Sequence, residues 1–236
     1  MITRISASPP ERLGTGAEQR VLLPAAQTSW KLLNVGLISL DPGAELDIPG
    51  AGFERIYFVL DGRGIAAVKW LKGTWRYLLR GDMAIRIPAL DHGFKNSGDA
   101  ALRLLAAGCQ EERSGDERFA FVDCADARRA VPVLLAGSQE VMVFPAEGLA
   151  ASGSHFNLYA CDTIWSGGAT DLHVPTDECE ETMYVTRGRG VMTIGAQSGQ
   201  VEAGCLGYVP RDTLHREQNT AEEPLEYVVF ETHRKP

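Results

Sequence analysis

The stretch DLHVPTDECEETMYVTRG, residues 171–188, sets one histidine, His173, ahead of a dense run of carboxylates and then becomes a β-branched and aromatic segment ending in glycine. Histidine with carboxylate is a donor set for divalent ions, and it is equally the content of an acidic surface loop. Strand alternation helps to separate the two. If ETMYVT is a strand, Glu181, Met183 and Val185 share one face, and Glu180, Thr182 and Tyr184 share the other. Met183 and Val185 belong in an apolar interior, so Glu181 goes in with them and Glu180 points out. A carboxylate placed inside is costly unless a cation or strong donors meet it. Further on, His215, Glu217 and Asn219 share a face by the same alternation, with His215 at the start of its strand after a turn containing Pro210. Cys179 lies within the acidic run as a further ligand candidate, although cysteine is more often packing than chemistry.

The elements that must position these groups are strands, and the chain states them twice. EQRVLLPA (residues 18–25) resembles SQEVMVFPA (138–146), and YFVLDGRG (57–64) resembles MYVTRGRG (183–190). GDMAIRIPALDHGFKN (81–96) resembles GCLGYVPRDTLHREQN (204–219), with His and Asn four apart in both. The order is kept and the offset stays at roughly 120 residues, the mark of a duplicated domain. Runs such as RIYFVL, MAIRIP, TMYVT and LEYVVFET are short, rich in β-branched and aromatic residues, and punctuated by Gly, Pro, Asp and Asn, as in sandwiches and barrels. The expected organisation is an irregular arm over residues 1–17, one barrel over 18–109, a charged linker over 110–137 with a turn or so of helix in CADARRAVPVLL, and a second barrel over 138–236.

The repeated unit resembles a cupin, and the chain as a whole a bicupin, with motifs G-x5-H-x-H-x3,4-E-x6-G and G-x5-P-x-G-x2-H-x3-N. The resemblance implies an all-β fold of two tandem jelly-roll (double-stranded β-helix) barrels. In the second copy Gly167, His173, Glu181 and Gly188 follow the first motif, and Gly204, Pro210, His215 and Asn219 follow the second. The second motif histidine is Pro175, the gap before Glu181 is longer than the motif allows, and Asp212 stands where the motif has glycine. The implied ligands are His173, Glu181 and His215, two histidines and one carboxylate with open positions, suited to one divalent ion, Mn or Fe. Asp177 falls where the second histidine is expected, so Asp177 or Glu178 is an alternative ligand. Glu217 is a candidate base.

In the first copy, Pro49 and Ala51 take the histidine positions, Arg55 takes the glutamate position, and only His92 survives. Arginine would repel an ion, so this barrel is expected to be metal-free. Arg55 with His92 could instead hold a small carboxylate of the substrate. Glu54 sits one residue off and faces away from Arg55 and Tyr57. Ile56, Phe58 and Leu60 make that far face apolar, so the second domain or a second subunit should cover it.

A metal-free first barrel ahead of a metal-bearing second one resembles the glyoxylate-induced bicupins and (S)-ureidoglycine aminohydrolases, which hold manganese in the C-terminal barrel. Their Glu-x-His-x3-His run and glutamine are replaced here by other residues. Three functions follow as expectations: a metalloenzyme acting on a small polar metabolite, an Fe(II) dioxygenase, or a binding barrel that has lost its metal. A net charge of −8 disfavours nucleic acid as a partner. No apolar run approaches a membrane span, and the first residues lack a leader's apolar core, so a cytoplasmic protein is expected. Five scattered cysteines without CxxC spacing suggest neither a disulfide framework nor a zinc ribbon. A homodimer is the expected assembly.

Overall fold

The computed structural model describes the chain except for residues 5–8, 29–31, 51, 72, 111–118, 131–136, 145–155, 176–178 and 234–236. Asp177 and Glu178 therefore lie outside the described residues. The described chain is almost wholly strand, as the alternating segments require, and it forms two barrels of two antiparallel sheets each.

In the first barrel a seven-stranded sheet runs in the order Ala120–Asp123, Met83–Ile87, Phe53–Asp61, Leu102–Gln110, Leu32–Leu40, Ala17–Pro24 and Glu11–Gly14. It faces a four-stranded sheet of Glu45–Ile48, His92–Asn96, Arg63–Trp70 and Gly73–Arg80. In the second barrel a six-stranded sheet runs Ile2–Arg4, Cys205–Val209, Cys179–Arg187, Leu225–His233, Phe156–Ile164 and Ser138–Phe144. It faces a three-stranded sheet of Gln197–Glu202, Arg189–Ile194 and His215–Asn219.

Each barrel has its own core. Tyr57, Val59, Ile85, Ile87 and Phe94 fill the first, while Met183, Val185, Met192, Val209 and Val229 fill the second. A third apolar cluster joins the barrels: Leu23, Ile56 and Phe58 from the first pack with Tyr159, Tyr184, Leu206 and Phe230 from the second. The second barrel therefore covers the outer face of the Phe53–Asp61 strand, as that strand's double-sided apolar pattern demands. Within this interface the buried Arg86 guanidinium donates to Glu54 at 2.5 Å, and the Tyr159 hydroxyl donates to the Tyr57 carbonyl at 2.9 Å.

The repeat is visible in matching local devices. Gly62 and Gly188 both have positive φ, and a Cβ at either would meet a backbone carbonyl at 2.5 and 2.2 Å respectively. Asn96 donates to the Leu40 and Ala100 carbonyls and accepts from the Gly98 amide, and Asn219 does the same with Ile164, Glu223 and Ala221. The asparagine that ends the second motif is thus a strand clamp in both copies.

Two expectations about the connections are corrected. Residues 1–17 are not an irregular arm: Ile2–Arg4 adds a strand to the second barrel, pairing with Cys205–Val209, and Glu11–Gly14 pairs with Ala17–Pro24. A three-residue strand is too short to show a period, and its pairing comes from a distant sheet edge that offers free backbone groups. The segment 110–137 is likewise more than a linker, since Ala120–Asp123 extends the first barrel's sheet and Cys124–Ala130 forms a helix.

Candidate metal centre

Cys179–Arg187 is buried along nearly its whole length. Its inward face carries Glu181, Met183 and Val185, and its outward face carries Glu180, Thr182 and Tyr184 into the inter-barrel layer. Glu180 does point out of its barrel as the alternation requires, yet it is buried, because the other barrel lies over it.

His173 and His215 meet through an isolated antiparallel bridge, in which each amide donates to the other's carbonyl, at 3.1 and 2.8 Å. Their rings lie 4.0 Å apart between centroids. In each, Nδ1 lies near the carbonyl two residues back, Asp171 O at 2.8 Å and Thr213 O at 3.4 Å. With Nδ1–H directed at the carbonyl, Nε2 is left as the lone-pair donor. The His215 Nε2 lies 3.2 Å from Glu181 Oε2 without a hydrogen bond, so in this tautomer two lone-pair donors face one another, as they would around a shared cation.

Donor atoms of His173, Glu181 and His215 all fall within 4.8 Å of one another. His215 is fully buried and Glu181 nearly so, while His173 is exposed at the mouth. Burial alone would push His215 down, but Glu181 beside it and the charge of Glu217 outweigh burial and hold it above histidine's ordinary pKa. Two imidazoles with free Nε2 atoms and a buried carboxylate fit a divalent ion. Cys179 is buried and is not part of this cluster.

The cluster opens on a cavity of about 410 Å³ lined also by Glu140, Asp162, Glu217 and Glu231. Glu217 Oε2 accepts from the Thr170 hydroxyl at 3.0 Å, whereas Oε1 is buried and has no hydrogen-bond partner. Burial raises the Glu217 pKa to about 7, with His215 working against the rise and Glu181 adding to it. Asp162 is pushed well above the carboxylate range by burial, then by Glu140, Glu181 and Glu217. Glu140 stands exposed at the cavity rim, and partial burial there, with Glu181 and Glu231, raises its pKa. Sequence reasoning missed Glu140, Asp162 and Glu231, which come from three other strands. Their signal was a lone acid on an inward-facing parity, such as Asp162 between Ala160 and Ile164.

The first barrel's pairing of Arg55 with His92 does not form. His92 is buried, with Nε2 2.6 Å from the Tyr57 hydroxyl and Nδ1 2.7 Å from the Leu90 carbonyl, and it is packed edge-on to Phe94. Both ring nitrogens are used, so it is a core histidine. Arg55 lines a separate cavity of about 340 Å³, its guanidinium donating to the Pro49 and Gly50 carbonyls.

Residues 162–231 match the family described as Cupin domain (Cupin_2). Across 99% of this chain and 77% of its own, a deletion mutant of Bacillus subtilis oxalate decarboxylase superposes with a TM-score of 0.77 at 16% identity. The fold is a bicupin. A second structure of that decarboxylase, concerned with its Mn(II) centres, gives the same TM-score and identity over all of the bicupin and 78% of its own chain. An uncharacterized protein of Streptomyces coelicolor is 34% identical over 73 residues, 31% of this chain. The bicupin spans 65% of that relative's length. Among the described residues no helix is long and apolar enough to cross a membrane.

Proposed function

We propose that the second barrel is the active site of a metal-dependent enzyme acting on a small polar metabolite, with aminohydrolase-type chemistry as its reaction class. The observation that carries this reading is the cluster of His173, Glu181 and His215, two of whose members, His173 and Glu181, line one cavity with the buried Glu217. A divalent ion held by those three residues would supply Lewis-acid stabilisation of charge developing on a substrate oxygen. Manganese is the preferred ion, by likeness to a fold whose solved relatives include a decarboxylase with Mn(II) centres; iron is the alternative.

The chain's own groups then divide the remaining work. Thr170 fixes one oxygen of Glu217, so the other is directed to the cavity as a proton acceptor. Glu217, lining the cavity beside the ligand cluster, is the carboxylate placed to take a proton and return it. His173 is exposed where it lines the cavity, so the ligand set is open to solvent on that side. Oxalate itself is a poor fit here, since a dianion would face Glu140, Asp162, Glu217 and Glu231 with no Lys or Arg among the described lining residues.

Elemental analysis by mass spectrometry, on tag-free protein expressed in medium balanced for Mn, Fe, Ni, Zn and Co, tests the reading. Near one equivalent of Mn or Fe is expected, lost in Glu181→Ala and in His215→Ala and kept in Glu180→Gln. Retention by both alanine variants, or no metal after reconstitution, would refute it. Ammonia release from small amino and ureido compounds, set against oxygen consumption, then separates hydrolytic from dioxygenase chemistry.

A further inference from the structure

The cavity beside the metal-ligand cluster holds more carboxyl groups than one divalent ion explains. Glu140 and Asp162 stand directly opposite each other on neighbouring strands, and so do Glu181 and Glu231. Like charges in such cross-strand positions repel. Glu181 belongs to the metal-ligand set. The Glu140–Asp162 pair sits on the other side of the Leu225–His233 strand, so it is not explained by the same ion.

Two carboxylate oxygens in this cavity are shut off from solvent and lack a hydrogen-bond partner: Asp162 Oδ1 and Glu217 Oε1. Glu217 is 2% exposed. Such groups cost stability unless something that enters the site meets them. Among the described lining residues there is no Lys or Arg to do so. The basic group that Asp162 feels is Arg128, which lies outside the cavity lining; its Nη1 is bound to Asp82 at 2.6 Å, and its buried Nε and Nη2 make no hydrogen bond, to Asp162 or to any other group. Tyr227, opposite Asp162 on the next strand, and Val229 give the cavity an apolar wall.

Resting on the reading of this cavity as the active site, we propose that the substrate carries a cationic nitrogen, an ammonium or guanidinium group, seated against Asp162 and Glu140 while its other end reaches the metal-ligand set beside Glu217. A compact cation with several N–H donors meets the orphaned Asp162 oxygen and relieves the Glu140–Asp162 repulsion. The four carboxylates also reject anionic metabolites, which makes the charge of the cavity a selectivity device.

Ligand-observed NMR and calorimetry with matched fragments test the proposal: glycinamide against glycolamide, and ethanolamine against ethylene glycol. Wild type, Asp162→Asn and Glu140→Gln are compared, each with metal content measured in parallel. The ammonium members are expected to bind and their neutral isosteres to bind at least about tenfold more weakly, about 1.4 kcal/mol. Asp162→Asn is expected to erase that preference while keeping the first equivalent of metal. It is also expected to raise the melting temperature, which a merely structural carboxylate would lower. No preference for the ammonium fragments overturns the proposal. So does a second equivalent of Mn or Zn that Asp162→Asn removes, because the acids would then be a second metal site. Ammonium preference in a protein that retains no metal would leave the cation site standing and refute the metal reading instead.

Discussion

Acidification should expose His92 as a structural residue. Its ring is buried, with Nδ1 facing the Leu90 carbonyl and Nε2 accepting from the Tyr57 hydroxyl. A proton on Nε2 would turn the Tyr57 hydroxyl from donor to acceptor there and bring a charge into a buried site. Burial pushes the His92 pKa from 6.5 down to about 4, the Leu90 carbonyl opposing and Arg55 adding to the fall. The unfolded chain therefore binds a proton below pH 6.5 that the native state refuses until about pH 4. The stability tied to this residue is complete above pH 6.5 and is lost as pH falls through that window. At 1.36 kcal/mol per pKa unit, the loss by pH 4 is about 3 kcal/mol. Other groups titrate over the same range, so the measurement is a difference: urea unfolding of wild type and His92→Phe from pH 7.5 to 4. Phenylalanine cannot titrate but orphans the Tyr57 hydroxyl, so the variant starts about 1–3 kcal/mol less stable at neutral pH. The gap should then narrow by about 3 kcal/mol at pH 4 and close or reverse sign. Parallel pH curves for the two proteins would refute the assignment and return His92 to the list of groups open to a ligand.

Two further outcomes follow from the inter-barrel layer and the motif turn. Glu54→Ala removes the buried carboxylate to which Arg86 donates and should destabilise the protein by about 3–5 kcal/mol, whereas replacing both with apolar residues recovers most of that in chemical denaturation. Equal losses in the single and double variants would show that packing volume, rather than the broken ion pair, sets the cost. Asp212 holds φ of 56° where the cupin motif has glycine. Asp212→Gly should stabilise by about 0.5–1 kcal/mol with metal content unchanged, and a lowered melting temperature would show that the Asp212 side chain contributes more than its backbone strain costs.

Much of the fold and part of the site were legible in the residues. The duplication and the strand-rich character follow from order and spacing along the chain. So do the inward faces of Glu181 and His215, because alternation is a local property with a period of two residues. Even the apolar outer face of Phe53–Asp61 announced a missing cover. Partners that are distant in sequence were decided only by tertiary structure. Ile2–Arg4 finds a strand edge some two hundred residues away, and Glu180, turned outward correctly, is buried by a barrel that the sequence does not position. Glu140, Asp162 and Glu231 come from three separate strands, and sheet order alone gathers them around one cavity. Alternation tells which way a side chain points, but the charge of a site depends on which strands become neighbours, and that is settled by the packing of whole sheets.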